Sequence, residues 1–382
     1  MNTIAARTGA TLRPAIDAAL IMAIGMGFGR FAFTAIYPHM VDEGLLSLHG
    51  GSLAASANYA GYLVGALLAI RAQAHSAHRL CLWSMAGTAL CLAILSIVEA
   101  TWIIVAVRGI AGVFSALAMV AASLWLLEHR RQLHHAPLLY AGVGLGIAVS
   151  AELLVLGTHV GLHSKGLWLL LGVTSLIIGL AATPGLVARG SATLASSPGA
   201  TAGTQKTVKP WPLVAIYGLA GLGYIVTATY LPLLVKSTLP NVDPAHVWAV
   251  FGLGAAPSCF LWHRLHERLG TRAALLTNLV IQAAGVVLPI VAQSAAGYLL
   301  SALLVGGTFM GTVTIAMPAA QRVAGKVRGN LMAIMTVIYG IGQIAGPMVA
   351  NVLYAHSHTF SSSLVAAAGA LIVAAIMSVL AL

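Results

Sequence analysis

Charge is the scarcest commodity in this sequence. Asp, Glu, Lys and Arg together make up 7% of its 382 residues, where a water-soluble globular chain carries about 25%. With 59% hydrophobic residues and a mean hydropathy of +0.95, water is excluded as the main solvent. Acids are rarer still, 8 against 19 basic residues, and no two fall together inside an apolar run. Three cysteines, Cys81, Cys91 and Cys259, offer neither a disulfide framework nor a metal site. There is no H-E-x-x-H helix and no G-x-S-x-G elbow, so an enzyme is not expected. No cofactor is expected either. A cleavable leader is also missing: the apolar run after Arg13 extends for about 25 residues and lacks a small-residue cleavage site, so it reads as an uncleaved span.

What the sequence has in abundance is long apolar runs. Six fall at 14–38, 49–70, 79–98, 102–126, 136–158 and 164–186, and six more at 211–236, 244–263, 272–292, 296–320, 329–354 and 360–382. Each is long enough to cross a bilayer as a helix. The expected architecture is therefore an all-α membrane protein of twelve transmembrane helices in two pseudo-symmetric six-helix bundles. Residues 1–188 would form the first bundle and 211–382 the second. A polar, small-residue linker over 189–210 would join them.

The net charge of +11 would suggest a nucleic-acid partner in a soluble chain, but here it tests orientation instead. With the N-terminus placed in the cytoplasm, 15 of the 19 basic residues fall in cytoplasmic breaks and only Lys165 and Lys236 in outer ones. That asymmetry follows the positive-inside rule. It predicts a multi-pass protein of the bacterial inner membrane with both termini cytoplasmic and no nucleic-acid partner. All seven tryptophans lie near expected helix ends, as an interfacial belt requires. The 14 histidines fall in or beside the breaks and read as solvated loop residues rather than metal ligands.

The two groups of runs resemble each other. "GFGRFAFTAIYP" (Gly27–Pro38) aligns with "GLGYIVTATYLP" (Gly221–Pro232), and "GVGLG" (Gly142–Gly146) more weakly with "GIGQI" (Gly340–Ile344). Such similarity is the trace of parallel transporter repeats. The alternating glycines around Gly27 could suggest a dinucleotide loop. That loop needs a strand before the glycines and an acid about 20 residues beyond them, and neither is present. Close helix packing in lipid is the better account, as it is for "GYLVG" (Gly61–Gly65).

Apart from residues at helix ends, Asp17 among them, three charges fall inside runs: Arg30, Arg108 and Glu152. At a rise of about 1.5 Å per residue, all three sit some 6–9 Å to the outer side of the midplane. Their shared depth predicts one cluster. Arg30 and Arg108 would hold an anionic group and Glu152 would carry a proton; alternatively, Arg108 and Glu152 form a fixed ion pair. Helical spacing adds Thr34 on the Arg30 face, Asn58 and Tyr62 on span 2, Tyr224 and Thr227 on span 7, and Tyr339 and Gln343 on span 11. Tyr224 occupies the repeat position of Arg30.

Several motifs resemble those of the major facilitator superfamily. "VRGIAG" (Val107–Gly112) is similar to its R-x-x-x-G motif. "HERLGTRAAL" is similar to its cytoplasmic D-R-x-G-R loop, with Glu267, Arg268, Gly270 and Arg272 in the matching places. The corresponding loop after span 2 has Ala69 where that motif has an acid. "GRFAFTAIYP", "ASANYAGYLVGAL", "GYIVTATYLP" and "YGIGQIAGP" resemble the YbfB/YjiJ branch. The resemblance implies two bundles around a cavity lined by helices 1, 4, 7 and 10, and a monomeric secondary transporter working by alternating access. The expected cargo is a small, anionic organic solute, moved with protons. A multidrug/proton antiporter for apolar or cationic compounds is one alternative, and a membrane sensor without flux is another.

Overall fold

The computed structural model describes residues 2–132, 135–187, 208–239, 242–323 and 331–382. Of the expected linker, 189–207 lies outside the described residues. Everything regular in the described chain is helical, because a backbone in lipid must satisfy its own N–H and C=O groups. The helices are α1 (Asn2–Met22), α2 (Ala32–Asp42), α3 (Leu48–Leu68), α4 (Ala77–Leu95), α5 (Thr101–Ser123), α6 (Ala136–His159) and α7 (Ser164–Val187). They continue as α8 (Pro210–Thr238), α9 (Pro244–Val291), α10 (Ala295–Val323), α11 (Leu331–Ser357) and α12 (Ser361–Leu380). Prolines at the first turns of α8 and α9 and the Asp243 carboxylate, which accepts from the Ala245 N–H at 2.8 Å, mark helix starts.

Eleven stretches are long and apolar enough to cross a membrane. Two of them differ from the expected runs. The first, Leu12–Asp42, is α1 and α2 joined through a π-helical stretch, Ala23–Phe31, that holds the alternating glycines and Arg30. The other is α9, 48 residues long, which runs through the region expected to be two separate spans. Inside it Gly270 takes φ +75°, ψ 173°, a backbone region open essentially to glycine alone. The turn thus falls on the glycine of the "HERLGTR" loop.

Glycine explains how the helices come so close. A methyl group on Gly61 would lie 1.8 Å from the Gly109 carbonyl oxygen, and one on Gly112 would lie 2.0 Å from that of Asn58, so α3 and α5 touch backbone to backbone. Gly27 meets the Gly146 backbone in the same way, where the first span crosses α6. In the second half of the chain Gly342 meets the Gly218 carbonyl, where α11 crosses α8. The sequence similarity between the halves is therefore accompanied by the same helix pairing.

Two expectations need correction. Trp83, Trp102 and Trp211 are exposed on the lipid-facing surface, but Trp125, Trp168, Trp248 and Trp262 are buried among helices. Nearness to a helix end gives a height in the bilayer and leaves open which way the ring faces. His266 is likewise no solvated loop residue; it is buried and hydrogen-bonded to Thr271 at 3.0 Å.

Candidate functional site

The π-helical stretch places Arg30 between helices of both halves of the chain. π turns are uncommon and concentrate at functional sites. Here Arg108 braces the stretch, donating from its two terminal nitrogens to the carbonyls of Gly29 (2.9 Å) and Arg30 (3.0 Å). Asn58 in turn donates to the Arg108 carbonyl at 2.9 Å. Arg108, 1% exposed, lies over the Phe33 ring. Its role in this arrangement is to hold the Arg30 backbone.

Arg30 itself is 3% exposed, and its Nε and Nη1 have no hydrogen-bond partner. Its guanidinium carbon sits 4.2 Å from the Tyr62 ring centre, 4.9 Å from Tyr59 and 5.3 Å from Phe31. These aromatic faces attract a cation but leave its N–H groups unsatisfied. The ion pairs among the described residues leave both arginines out. They join Arg13 to Asp17, Lys165 to Glu99 and Lys236 to Asp42, and His163, His246 and His263 to Glu43, Glu152 and Glu267. Arg30 is a buried, uncompensated cation.

Other expected residues gather around it. Thr34, one turn along, donates to the Ala228 carbonyl at 2.8 Å. Tyr62 donates to the Met119 sulfur. Tyr224 stacks on Phe309 and Tyr339 and receives a hydrogen bond from the Gln343 carboxamide. Thr227 is fully buried with its hydroxyl unpartnered. Arg30, Thr34, Tyr224, Tyr339 and Gln343 thus belong to one polar and aromatic centre, with Asn58 and Arg108 behind it.

Glu152 does not. The expectation that it clusters with the arginines, or pairs with Arg108, is corrected by its position. It is half exposed and pairs with His246 of α9 at 2.9 Å. Its depth matched theirs, but it points from another side of its helix. Nor does an open chamber surround Arg30, which the rings enclose. A cavity of about 560 Å³ opens instead near the α11–α12 turn, lined by Asp42, Lys236, Tyr298, Tyr354 and Phe360 among others.

Reading the sequence missed two participants in this centre and one buried acid elsewhere. Tyr59 and Phe309 lie in apolar runs where an aromatic residue signals nothing special. Asp17, passed over as a helix-end charge, is fully buried, bonded to Arg13 at 2.8 Å and with its second carboxylate oxygen unpartnered. Its spacing four residues after Arg13 was the available sign. The loop motif is placed away from this centre: Glu267 faces His263 at 3.4 Å, Arg268 and Arg272 are exposed, and Gly270 makes the turn.

The polar bonds that join the two halves gather toward the end bearing the α2–α3 turn. Besides the bond of Thr34, Trp248 donates to the Phe31 carbonyl (3.0 Å), and Ser52 and Tyr230 share a hydrogen bond (2.7 Å). Tyr59 and Thr229 share another (3.2 Å), Ser56 donates to the Ile344 carbonyl (3.3 Å), Asn351 meets His49 (3.1 Å), Lys236 meets Asp42 and the Pro38 carbonyl, and His246 pairs with Glu152.

Long apolar helices packed about a buried polar centre make this an integral, multi-pass membrane protein. The family model described as "Uncharacterised MFS-type transporter YbfB" matches residues 22–379, and the chain belongs to that transporter family. No curated protein sequence matches it.

Proposed function

We propose that this protein is a secondary transporter that moves a small organic anion across the bacterial inner membrane by alternating access. Arg30 is its anion anchor. The observation that carries this reading is the buried guanidinium with two nitrogens that lack a hydrogen-bond partner and no acid paired with it. An arginine in the membrane costs on the order of 2.5–3.5 kcal/mol on insertion scales, and such residues mark ligand pathways. An anion would supply both the charge and the hydrogen-bond acceptors the site lacks. A cationic drug would meet like charge there, which disfavours the multidrug alternative.

In this reading α9 crosses the membrane twice, turning at Gly270, so the eleven stretches give twelve crossings in two six-helix bundles. The protein works as a monomer with both termini in the cytoplasm. The bonds crowded at the α2–α3 end then hold the two halves together on the outer side of Arg30, and solute reaches the enclosed arginine from the cytoplasm once the opposite end parts. Proton coupling fits Glu152 through its bond to His246, a contact that spans the halves and gains ionic strength only when the histidine is charged.

Solute counterflow in proteoliposomes tests the reading. The intact protein should exchange organic anions, and Arg30→Ala should weaken their binding on the order of 30-fold or more. Undiminished anion exchange by Arg30→Ala would overturn it. Ligand binding with no exchange at all would favour a sensor. For the proton, Glu152→Gln should abolish uphill transport and spare downhill exchange; unchanged uphill transport would remove Glu152 from the coupling.

A further inference from the structure

The centre that holds Arg30 contains a second unsatisfied group of opposite hydrogen-bonding sense. Gln343 is 2% exposed; its Nε2 donates to the Tyr224 hydroxyl, while its Oε1 has no partner. Three contacts bring this carboxamide to the same centre as Arg30. Thr34 bonds the Ala228 carbonyl, and Arg30 and Tyr224 each lie one turn back from that bond on their own helices, which run in the same direction. Tyr59 lies against Arg30 and bonds Thr229 of α8. Phe309 touches Phe31 (5.8 Å between ring centres) and Tyr224 (5.3 Å).

The ring geometry narrows what fits between these groups. Tyr217 and Tyr339 stack at 26° and 4.4 Å, Tyr224 and Phe309 at 18°, and Tyr224 and Tyr339 at 18°. These near-parallel rings stack on one another as a column, and a column of that kind is best extended at its end by another flat partner. Arg30 contributes N–H donors, and Gln343 an acceptor. A bare anion would satisfy the first and leave the buried carbonyl unpaired, at the usual cost of an orphaned polar group.

We infer that the solute is a small planar carboxylate that also carries a hydrogen-bond donor, with its carboxylate on Arg30 and its O–H or N–H on Gln343 Oε1. The inference rests on the reading of Arg30 as anion anchor and adds the specificity determinant.

Affinities of the purified full-length protein for five probes test it: benzoate, 3- and 4-hydroxybenzoate, 4-methoxybenzoate and cyclohexanecarboxylate. At least one hydroxybenzoate should bind about tenfold more tightly than benzoate, a factor set by one buried hydrogen bond. The methoxy compound, an acceptor only, should gain nothing, and the non-planar acid should bind most weakly. In Gln343→Leu the hydroxybenzoates should bind no more tightly than benzoate does to the same variant, and Arg30→Gln should lose all the carboxylates. Should Gln343→Leu fail to fold, Tyr224→Phe serves instead, since it frees the carboxamide to turn and should reduce the preference. Equal affinity for benzoate and both hydroxybenzoates, or a preference that survives these variants, overturns the donor assignment and leaves the anion anchor standing. Failure of every carboxylate to bind, alongside binding of cationic dyes, overturns the anchor itself.

Discussion

At Arg30 the energetics turn on what replaces water around a cation. The rings of Tyr59 and Tyr62 supply part of the lost hydration, roughly 0.5–2 kcal/mol per favourable face, and the unpartnered N–H groups supply none of it. The lysine variant separates these contributions. Arg30→Lys keeps the charge but loses the planar fork that binds a carboxylate through two parallel bonds. It should retain weak anion binding, between wild type and Arg30→Ala, as measured by calorimetry or thermal shift; affinity equal to that of Arg30→Ala would show that charge alone contributes nothing. Arg30 was legible in the sequence because an arginine in an apolar run has few innocent explanations. The misreading of Glu152 has an equally physical cause. Counting residues along a helix gives height, but each residue also turns the side chain by about 100°, and which neighbour it then meets depends on packing that one sequence does not disclose. Arg30 and Arg108 matched in height and met; Glu152 matched in height and faced α9.

At the scale of the helix, glycine sets both packing and turning. Gly270→Ala would force a side chain into a conformation that costs about 1–3 kcal/mol, with no neighbouring atom within 4 Å to relieve or worsen it. A lower melting temperature in detergent, with solute affinity unchanged, is the expected outcome. Gly61→Ala is of another kind: its methyl would collide with the Gly109 carbonyl and part α3 from α5. It should cost far more stability than Gly369→Ala on α12, where nothing lies within 4 Å; comparable melting temperatures for the two would refute the contact. The apolar runs and the packing role of their glycines could be read directly. The π-helical stretch could not, since its nine residues carry no pattern that distinguishes a wide turn from an ordinary one. The break in α9 was visible only as a polar interval, and its sharpness at one glycine belongs to the backbone.

For the whole molecule, the uneven placement of polar bonds between the halves among the described residues is the main mechanical observation. Lys236→Met removes the pair with Asp42 and should favour opening at the α2–α3 end. A Thr229→Cys reporter, buried beneath that end, reads this directly, because the native Cys81, Cys91 and Cys259 are all buried and should label slowly. Faster reaction of the reporter with a membrane-impermeant maleimide is expected when Lys236→Met is added; an unchanged rate would mean the pair does not hold that end shut. Two of these bonds, Thr34 to Ala228 and Lys236 to Asp42, join positions that the Gly27–Gly221 alignment makes equivalent, but the repeat did not forecast them, because likeness between halves does not say which residues meet across the seam.

The brace that Arg108 provides has a consequence for reading phenotypes. Its nitrogens grip main-chain oxygens on the neighbouring span, so trimming it would let the adjoining turn relax and carry the anchor out of register. Defects at the two arginines would then look alike in a flux assay although, on the function proposed above, only Arg30 handles cargo. A guanidinium supplied in solution, small enough to lodge where the trimmed side chain had been, should restore the first kind of defect and leave the second unrepaired.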